Sequence, residues 1–298
     1  MRLRLLLVAG VLLFATTSRA AEPARCRFVH QSPPVGQLVV QDVHFVLAMI
    51  VETTQGEQTI ETAEEGVERR QRRRLTVLES SAGRTTKIRL TYVSAEQTRA
   101  AKGKVGRADP QPVSGKTYFV ERVDGRLEIT DRNGKTPPAE ELAIVRQNMV
   151  GVGQPNPLAQ FLNGRTFEVG RTVAFPESLA RDLLGMQGTL GDIQTVGLTL
   201  KRIQTKSEGR QATFDTVIEA RPVAGESLGM KIDGQLVVEI DTCRVVAATF
   251  SGPITLLETT GPPEAEQTVR GHGTLNVEVD TSYTQPRTAA RKRRSSRR

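Results

Sequence analysis

Residues 273–281 read Gly-Thr-Leu-Asn-Val-Glu-Val-Asp-Thr, and their period decides the fold class. Leu275, Val277 and Val279 alternate with Thr274, Asn276 and Glu278. Successive side chains of a strand point to opposite faces, so this spacing predicts a half-buried antiparallel strand. The same period recurs upstream. Over residues 86–93, Ile88, Leu90 and Tyr92 alternate with Lys87, Arg89 and Thr91. Residues 117–130 predict a hairpin, Tyr118 to Val123 and Leu127 to Ile129, joined through Asp124-Gly125. Asp-Gly suits a two-residue hairpin turn because both central positions need positive φ.

Longer strands are expected over residues 196–204, 211–220, 228–241, 244–251 and 267–281, with short turn-rich connections between them. Gly229, Gly234 and Gly252 interrupt these runs and would let a sheet bend. Helices are few and central. Thr136 is placed to cap a segment that opens with Pro137 and carries Glu140 and Glu141 in its first turn. Asn156-Pro157 starts a short helix ending near Gly164, and residues 177–184 form another before Gly185. Ser94 with Gln97 suggests a small capped helix earlier. The class expected is therefore a β-rich α+β protein, a large curved antiparallel meander with a few short helices inserted mid-chain. The helical insert, residues 136–185, separates an N-terminal sheet region from the C-terminal strands; one domain or two is left open.

Two stretches invite a functional reading. Residues 234–242 repeat six of the nine residues of 273–281, which would place Asp241 and Asp280 at matching strand ends. The preferred reading is simpler: two strands of one sheet share a β-favouring vocabulary. Residues 52–74 set six glutamates (52, 57, 61, 64, 65 and 68) before five arginines (69, 70, 72, 73 and 74). This reads as a solvated loop or a charged hairpin edge, since charge keeps edge strands from pairing with other chains.

The chain's ends carry addresses rather than core. Arg2 and Arg4, the apolar run Leu5–Thr17 and the small-x-small triplet Ser18-Arg19-Ala20 have the layout of a secretory signal peptide, residues 1–20. The run falls short of the roughly 20 residues a spanning helix needs. The expectation is an exported protein, periplasmic or extracellular, with no transmembrane segment in the mature chain. The formal charge of +8 is concentrated at these ends: three arginines before residue 21 and seven basic residues in 287–298, with no acid in either. The body, residues 21–286, is left at −2. Arg287, Arg291, Lys292, Arg293, Arg294, Arg297 and Arg298, spaced by Ser, Thr and Ala, form a basic tail expected to be disordered. Such a run is drawn to anionic envelope lipid or glycolipid, weakly and salt-sensitively.

Cys26 and Cys243 are 217 residues apart and are the two cysteines of the chain. In an oxidising compartment they are a candidate disulfide, the alternative being two unpaired thiols. Arg25 before Cys26 does not suit a lipidation signal.

Chemical motifs fail on spacing. Gly115-Lys116-Thr117 and Gly134-Lys135-Thr136 lack the earlier glycine of a phosphate loop, since Pro110 and Ile129 stand there. Gly151-x-Gly153 meets Asn156 where a third glycine is required. Asp131-Arg132-Asn133-Gly134 has its glycine too early for a calcium loop. His30, His44 and His272 form no zinc pattern and the cysteines no Cys-x-x-Cys, so neither a metal nor another cofactor is expected. No Gly-x-Ser-x-Gly elbow nominates a nucleophile, and no catalytic residue is assigned. With no Trp and three Tyr, stacking platforms for specific nucleic-acid recognition are not expected.

Three functions fit these observations. The leading one is a non-enzymatic envelope scaffold or binding protein whose tail contacts anionic surface. The alternative is a half-barrel carrier of a lipid or other apolar ligand. The third is a hydrolase, which would need a pocket gathering His44 or His272 with a carboxylate and a serine.

Overall fold

A computed structural model describes residues 24–101, 104–184, 191–223, 227–261 and 266–284. The expected signal peptide, residues 1–20, and the seven basic residues of the tail lie outside the described residues.

The chain runs β1 (Arg25–Arg27), β2 (Leu38–Gln55), β3 (Gln58–Ser81), β4 (Arg84–Ala101), β5 (Lys104–Val105), β6 (Asp109–Pro110), β7 (Thr117–Val123) and β8 (Arg126–Asp131). Then come α1 (Ala139–Asn148), α2 (Pro157–Leu162), β9 (Thr166–Glu168), β10 (Thr172–Ala174) and α3 (Glu177–Leu184). Five long strands close the chain: β11 (Asp192–Lys206), β12 (Gly209–Arg221), β13 (Ser227–Glu239), β14 (Arg244–Thr260) and β15 (Gln267–Thr284). Thirteen strands form one antiparallel sheet in the order β10-β11-β12-β13-β14-β15-β2-β3-β4-β7-β8, with β5 and β6 added on β4. The sheet does not close, and β1 pairs with β9 beside it. The β-rich fold with few helices is as expected.

The question of one sheet or two is answered by β15 and β2, which pair in register from Gln267↔Gln55 to Thr284↔Leu38. The late meander and the early one are thus a single surface. Glycine permits the close approach this requires. A Cβ at Gly273 would lie 2.0 Å from the Ala48 carbonyl oxygen, and one at Gly252 would lie 2.2 Å from that of Lys231. No side chain fits there, so the neighbouring strands lean in where the glycines stand.

Three local expectations are corrected. Residues 52–74 are neither a loop nor an edge: they run from the end of β2 through its turn into β3, which is 24 residues long and paired on both sides, with β2 and β4. Charge on both faces hid its period. Ser94 and Gln97 open no helix, because β4 continues through them opposite Arg72 and Arg69. Helix α1 begins after Pro138 without a side-chain cap, not at Thr136. By contrast, Asn156 caps α2 by accepting from the Ala159 amide at 3.1 Å, and Asp124 (φ 48°) and Gly125 (φ 80°) make the β7–β8 turn.

Two cores sit on one face of the sheet, here called the covered face. The first joins β11–β14 to β1, β9, α2 and α3 through Phe28, Phe161, Phe167, Phe175 and Phe214. Phe28 and Phe167 meet edge to face at 5.5 Å, as do Phe167 and Phe214 at 5.4 Å. The second packs Val145 of α1 and Met149, which caps its C-terminus, on Leu90, Tyr92, Tyr118 and Val120. Lys116 and Tyr118 lock α1 down by donating to the Glu141 carboxylate at 2.7 and 2.6 Å. Burial alone would raise the Glu141 carboxyl; these two hydrogen bonds outweigh it and hold the pKa below its ordinary value.

Candidate functional site

Between the two cores the covered face is apolar and incompletely covered. On β2, Val43, Phe45, Leu47, Met49 and Val51 share it by strand parity. Their partners across β15 continue the strip: Val279 opposite Val43, Val277 opposite Phe45 and Leu275 opposite Leu47. Phe250 of β14 stands opposite Val277 in turn. All of these side chains are half-buried. Leu47, Met49, Leu275 and Val279 brush the first core, whereas Val43, Phe45 and Val277 belong to neither. From β14 to β3 the gap is about 15 Å wide at roughly 4.8 Å per strand.

On its β3–β4 side the strip ends in a polar bank. Arg69 lies opposite Phe45, with its guanidinium 6.0 Å from the ring centre, and Gln71 lies opposite Val43. A chain of hydrogen bonds crosses this bank. Asn148 of α1 donates to the Tyr92 hydroxyl (2.9 Å) and to Gln71 Oε1 (3.3 Å). Gln71 donates to Gln111 (2.6 Å), Gln111 to Gln97 (3.3 Å), and Arg69 Nε to the same Gln97 oxygen (3.2 Å). Next to Gln71 on this face is Arg73, 7% exposed. Burial lowers its pKa, interaction with Tyr92 opposes that, and its Nε has no hydrogen-bond partner.

The bank, residues 106–112 and α1 enclose a cavity of about 840 Å³. Its floor is Val43 and Phe45, and Ile144 of α1 supplies a third apolar surface. Arg69, Arg99 and Arg107 line it together with Asp109 and Glu140, and none of these five forms an ion pair among the described residues. The volume lies within the range of small-molecule sites, and an apolar floor beneath a wall of three guanidiniums and two carboxylates is chemistry for an amphiphile. In the sequence Arg69 stands out only within the charged run and Glu140 only in the first turn of a helix, and nothing there joins these residues into a site. The one signal the sequence carried was the run of odd-numbered apolar positions from Val43 to Val51.

The residues singled out from sequence do not converge. Cys26 and Cys243 are free thiols buried in the first core, so the bridge expected between them is not formed here. Burial pushes each thiol up to about 11, with Arg210 partly opposing it at Cys26. Asp241 faces Arg210 at 3.9 Å, while Asp280 lies in mid-strand opposite Asp42 and Ala247; the repeated segments place the two nowhere alike. Asp131 accepts from the amides of Asn133 (2.8 Å) and Lys135 (2.9 Å), a turn built by its own side chain. His44 lies on the opposite face, without helices among the described residues, where Asp42, Ser94, Glu278 and Asp280 also line a hollow. Its Nε2 meets Glu68 at 2.8 Å and its Nδ1 faces Glu278 at 3.8 Å, so both ring nitrogens are turned to carboxylates rather than to Ser94. Among the described residues no group of His, Cys, Asp and Glu could hold a metal ion, and no helix is long and apolar enough to cross a membrane.

No protein family and no curated protein matches the chain by sequence. Solved structures similar to it include lipovitellin, from work on its lipid–protein interactions (TM-score 0.40, 9% identity, covering 86% of this chain and 26% of that one). Another is an outer membrane channel from Pseudomonas putida F1 (TM-score 0.21, 11% identity, 85% and 98%). A third is a LolA superfamily protein from Nitrosomonas europaea (TM-score 0.13, 7% identity, 81% and 85%). The chain spans about a quarter of the lipovitellin chain. At these scores the likenesses carry no argument.

Proposed function

We propose that this protein is a non-covalent carrier of an amphiphile. The apolar part of the ligand lies along Val43, Phe45, Leu47, Leu275 and Val277, and its polar head enters the cavity beside Arg69, Arg99 and Arg107. The observation that carries this reading is the gap between the two cores. A sheet built only as a scaffold has no use for a contiguous apolar strip left half-open at its centre, and strips of that kind mark binding surfaces. An acyl chain laid there would bury about ten methylenes at about 0.8 kcal/mol each before ordering costs. Three guanidiniums against two carboxylates leave the wall net positive, which favours an anionic head.

A fluorescent fatty acid and its neutral methyl ester test both halves of the reading. The wild-type chain should bind both, and Phe45→Lys with Val277→Lys should weaken both about tenfold or more, a loss of roughly 1.4 kcal/mol or greater. Arg69→Gln with Arg99→Gln should weaken the acid alone. Equal binding by every variant would contradict the proposal. The reading keeps the expectation that the chain is exported and that its basic C-terminal segment contacts anionic surface. Deleting residues 287–298 should then reduce binding to anionic vesicles at low salt more than at high salt.

A further inference from the structure

Strand parity divides the arginine run of β3 between the two faces of the sheet. Arg69 and Arg73 stand on the covered face, and Arg70, Arg72 and Arg74 on the face without helices. On that second face Arg70 meets Glu68 at 2.8 Å and Arg72 meets Asp42 at 3.7 Å. Lys87 is likewise paired, with Glu121 at 2.5 Å. Arg74 departs from this pattern. It lies opposite Thr91, and its neighbour Thr76 lies opposite Arg89. Arg132, just beyond β8, reaches back so that its Nη2 donates to Thr117 Oγ1 at 2.9 Å. These residues and Phe119 line a hollow of about 490 Å³ with no carboxylate in its wall. None of Arg74, Arg89 and Arg132 forms an ion pair among the described residues.

Edge protection does not explain this cluster. Only Arg132 follows the edge strand β8; Arg74 and Arg89 stand on β3 and β4, which are paired on both sides and have no bare edge for charge to guard. The hydroxyls are also organised: Thr117, 6% exposed, shares a hydrogen bond of 2.8 Å with Thr91, and Arg89 Nη2 is 3.4 Å from Thr76 Oγ1. Each guanidinium has five N–H groups, and the hydrogen bonds above occupy one on Arg89 and one on Arg132. Three converging cations flanked by hydroxyls, with no internal counter-charge, match an oxyanion that accepts several forked hydrogen bonds at once.

We infer that the hollow formed by Arg74, Arg89 and Arg132 binds a phosphate group. The site is on the opposite side of β3 and β4 from the proposed ligand cavity and does not depend on it. The phosphate is either free or the head of a lipid. The full chain titrated calorimetrically with inorganic phosphate at constant ionic strength, and the chain lacking residues 287–298 sedimented with phosphatidylcholine vesicles with or without phosphatidylglycerol, distinguish the two. One-to-one phosphate binding without added vesicle binding assigns a free oxyanion. Phosphatidylglycerol-dependent sedimentation that inorganic phosphate competes away assigns a lipid head. In either case Arg89→Gln with Arg132→Gln should weaken binding about tenfold, the scale of one lost charge-assisted contact, while Arg70→Gln, on the same face but ion-paired, should change it less than about twofold. Phosphate binding no tighter than chloride, or vesicle binding of the chain lacking residues 287–298 that survives Arg89→Gln with Arg132→Gln, would overturn the inference.

Discussion

Phe45 and Val277 stand opposite one another across the β2–β15 pair, at the seam where the chain's first long strand meets its last. That pairing turns two meanders into one sheet and leaves the middle of its covered face apolar and half-open. Several measurable consequences follow from this arrangement and from the packing around it.

The seam depends on glycine at position 273. Gly273→Ala sets a methyl group against the Ala48 carbonyl and the Met49 backbone, 2.0 and 2.8 Å away. The strands must part to admit it. The expected loss is about 1–3 kcal/mol, the usual cost of forcing extra volume into a packed site. Urea denaturation of wild type and variant reads it as a lower midpoint at unchanged slope.

Both cysteines should be inert in the native protein. Burial and a thiol pKa of about 11 leave almost no thiolate at neutral pH. A chromogenic disulfide reagent should release no colour from the folded chain and two equivalents after denaturation. No release after denaturation of protein recovered from an oxidising compartment would show instead that the two are bonded there.

Glu141 makes the anchoring of α1 pH-dependent. Its carboxyl titrates below the ordinary value in the folded state, so the stabilisation is present above the unfolded pKa of about 4.5 and is lost as pH falls through the lower folded value. Glu141→Gln should cost about 1–3 kcal/mol at pH 7, the penalty of unsettling buried hydrogen bonds to a charged group. Chemical denaturation at pH 7 and pH 3 should show that difference shrinking at the lower pH. A constant difference would remove the carboxylate from the account.

Export predicts a processed N-terminus. Sequencing the protein recovered from cells should find it beginning at Ala21, with residues 1–20 removed. An intact Met1 on the accumulated protein would rule the leader out.

Much of this fold could be read locally. The hairpin at Asp124-Gly125, the cap at Asn156 and the alternation of 273–281 are decided by neighbours in sequence, and each appears where the spacing put it. β3 could not be read in this way. Its odd positions face a polar bank and its even positions an ion-pair ladder, so hydrophobicity never alternates between Glu61 and Arg74. Ser94 and Gln97 mimic a capping box, yet pairing with β3 overrides that local preference. The cavity was illegible for a different reason. Phe45, Arg69, Gln97, Arg107 and Ile144 come from five separate segments, and arginines and amides at such distances form no motif. The successive pairing of β2, β3 and β4 and the return of α1 onto Gln71 assemble them, and no local period encodes contacts between such separate segments.

The most direct test of the carrier reading is native mass spectrometry of the chain purified gently from the cells that make it. The account predicts a bound species at one-to-one ratio, of a mass matching an acyl-chain amphiphile, lost in Phe45→Lys with Val277→Lys and retained in Arg89→Gln with Arg132→Gln. A bare polypeptide mass, persisting after incubation with lipid extract, would contradict it.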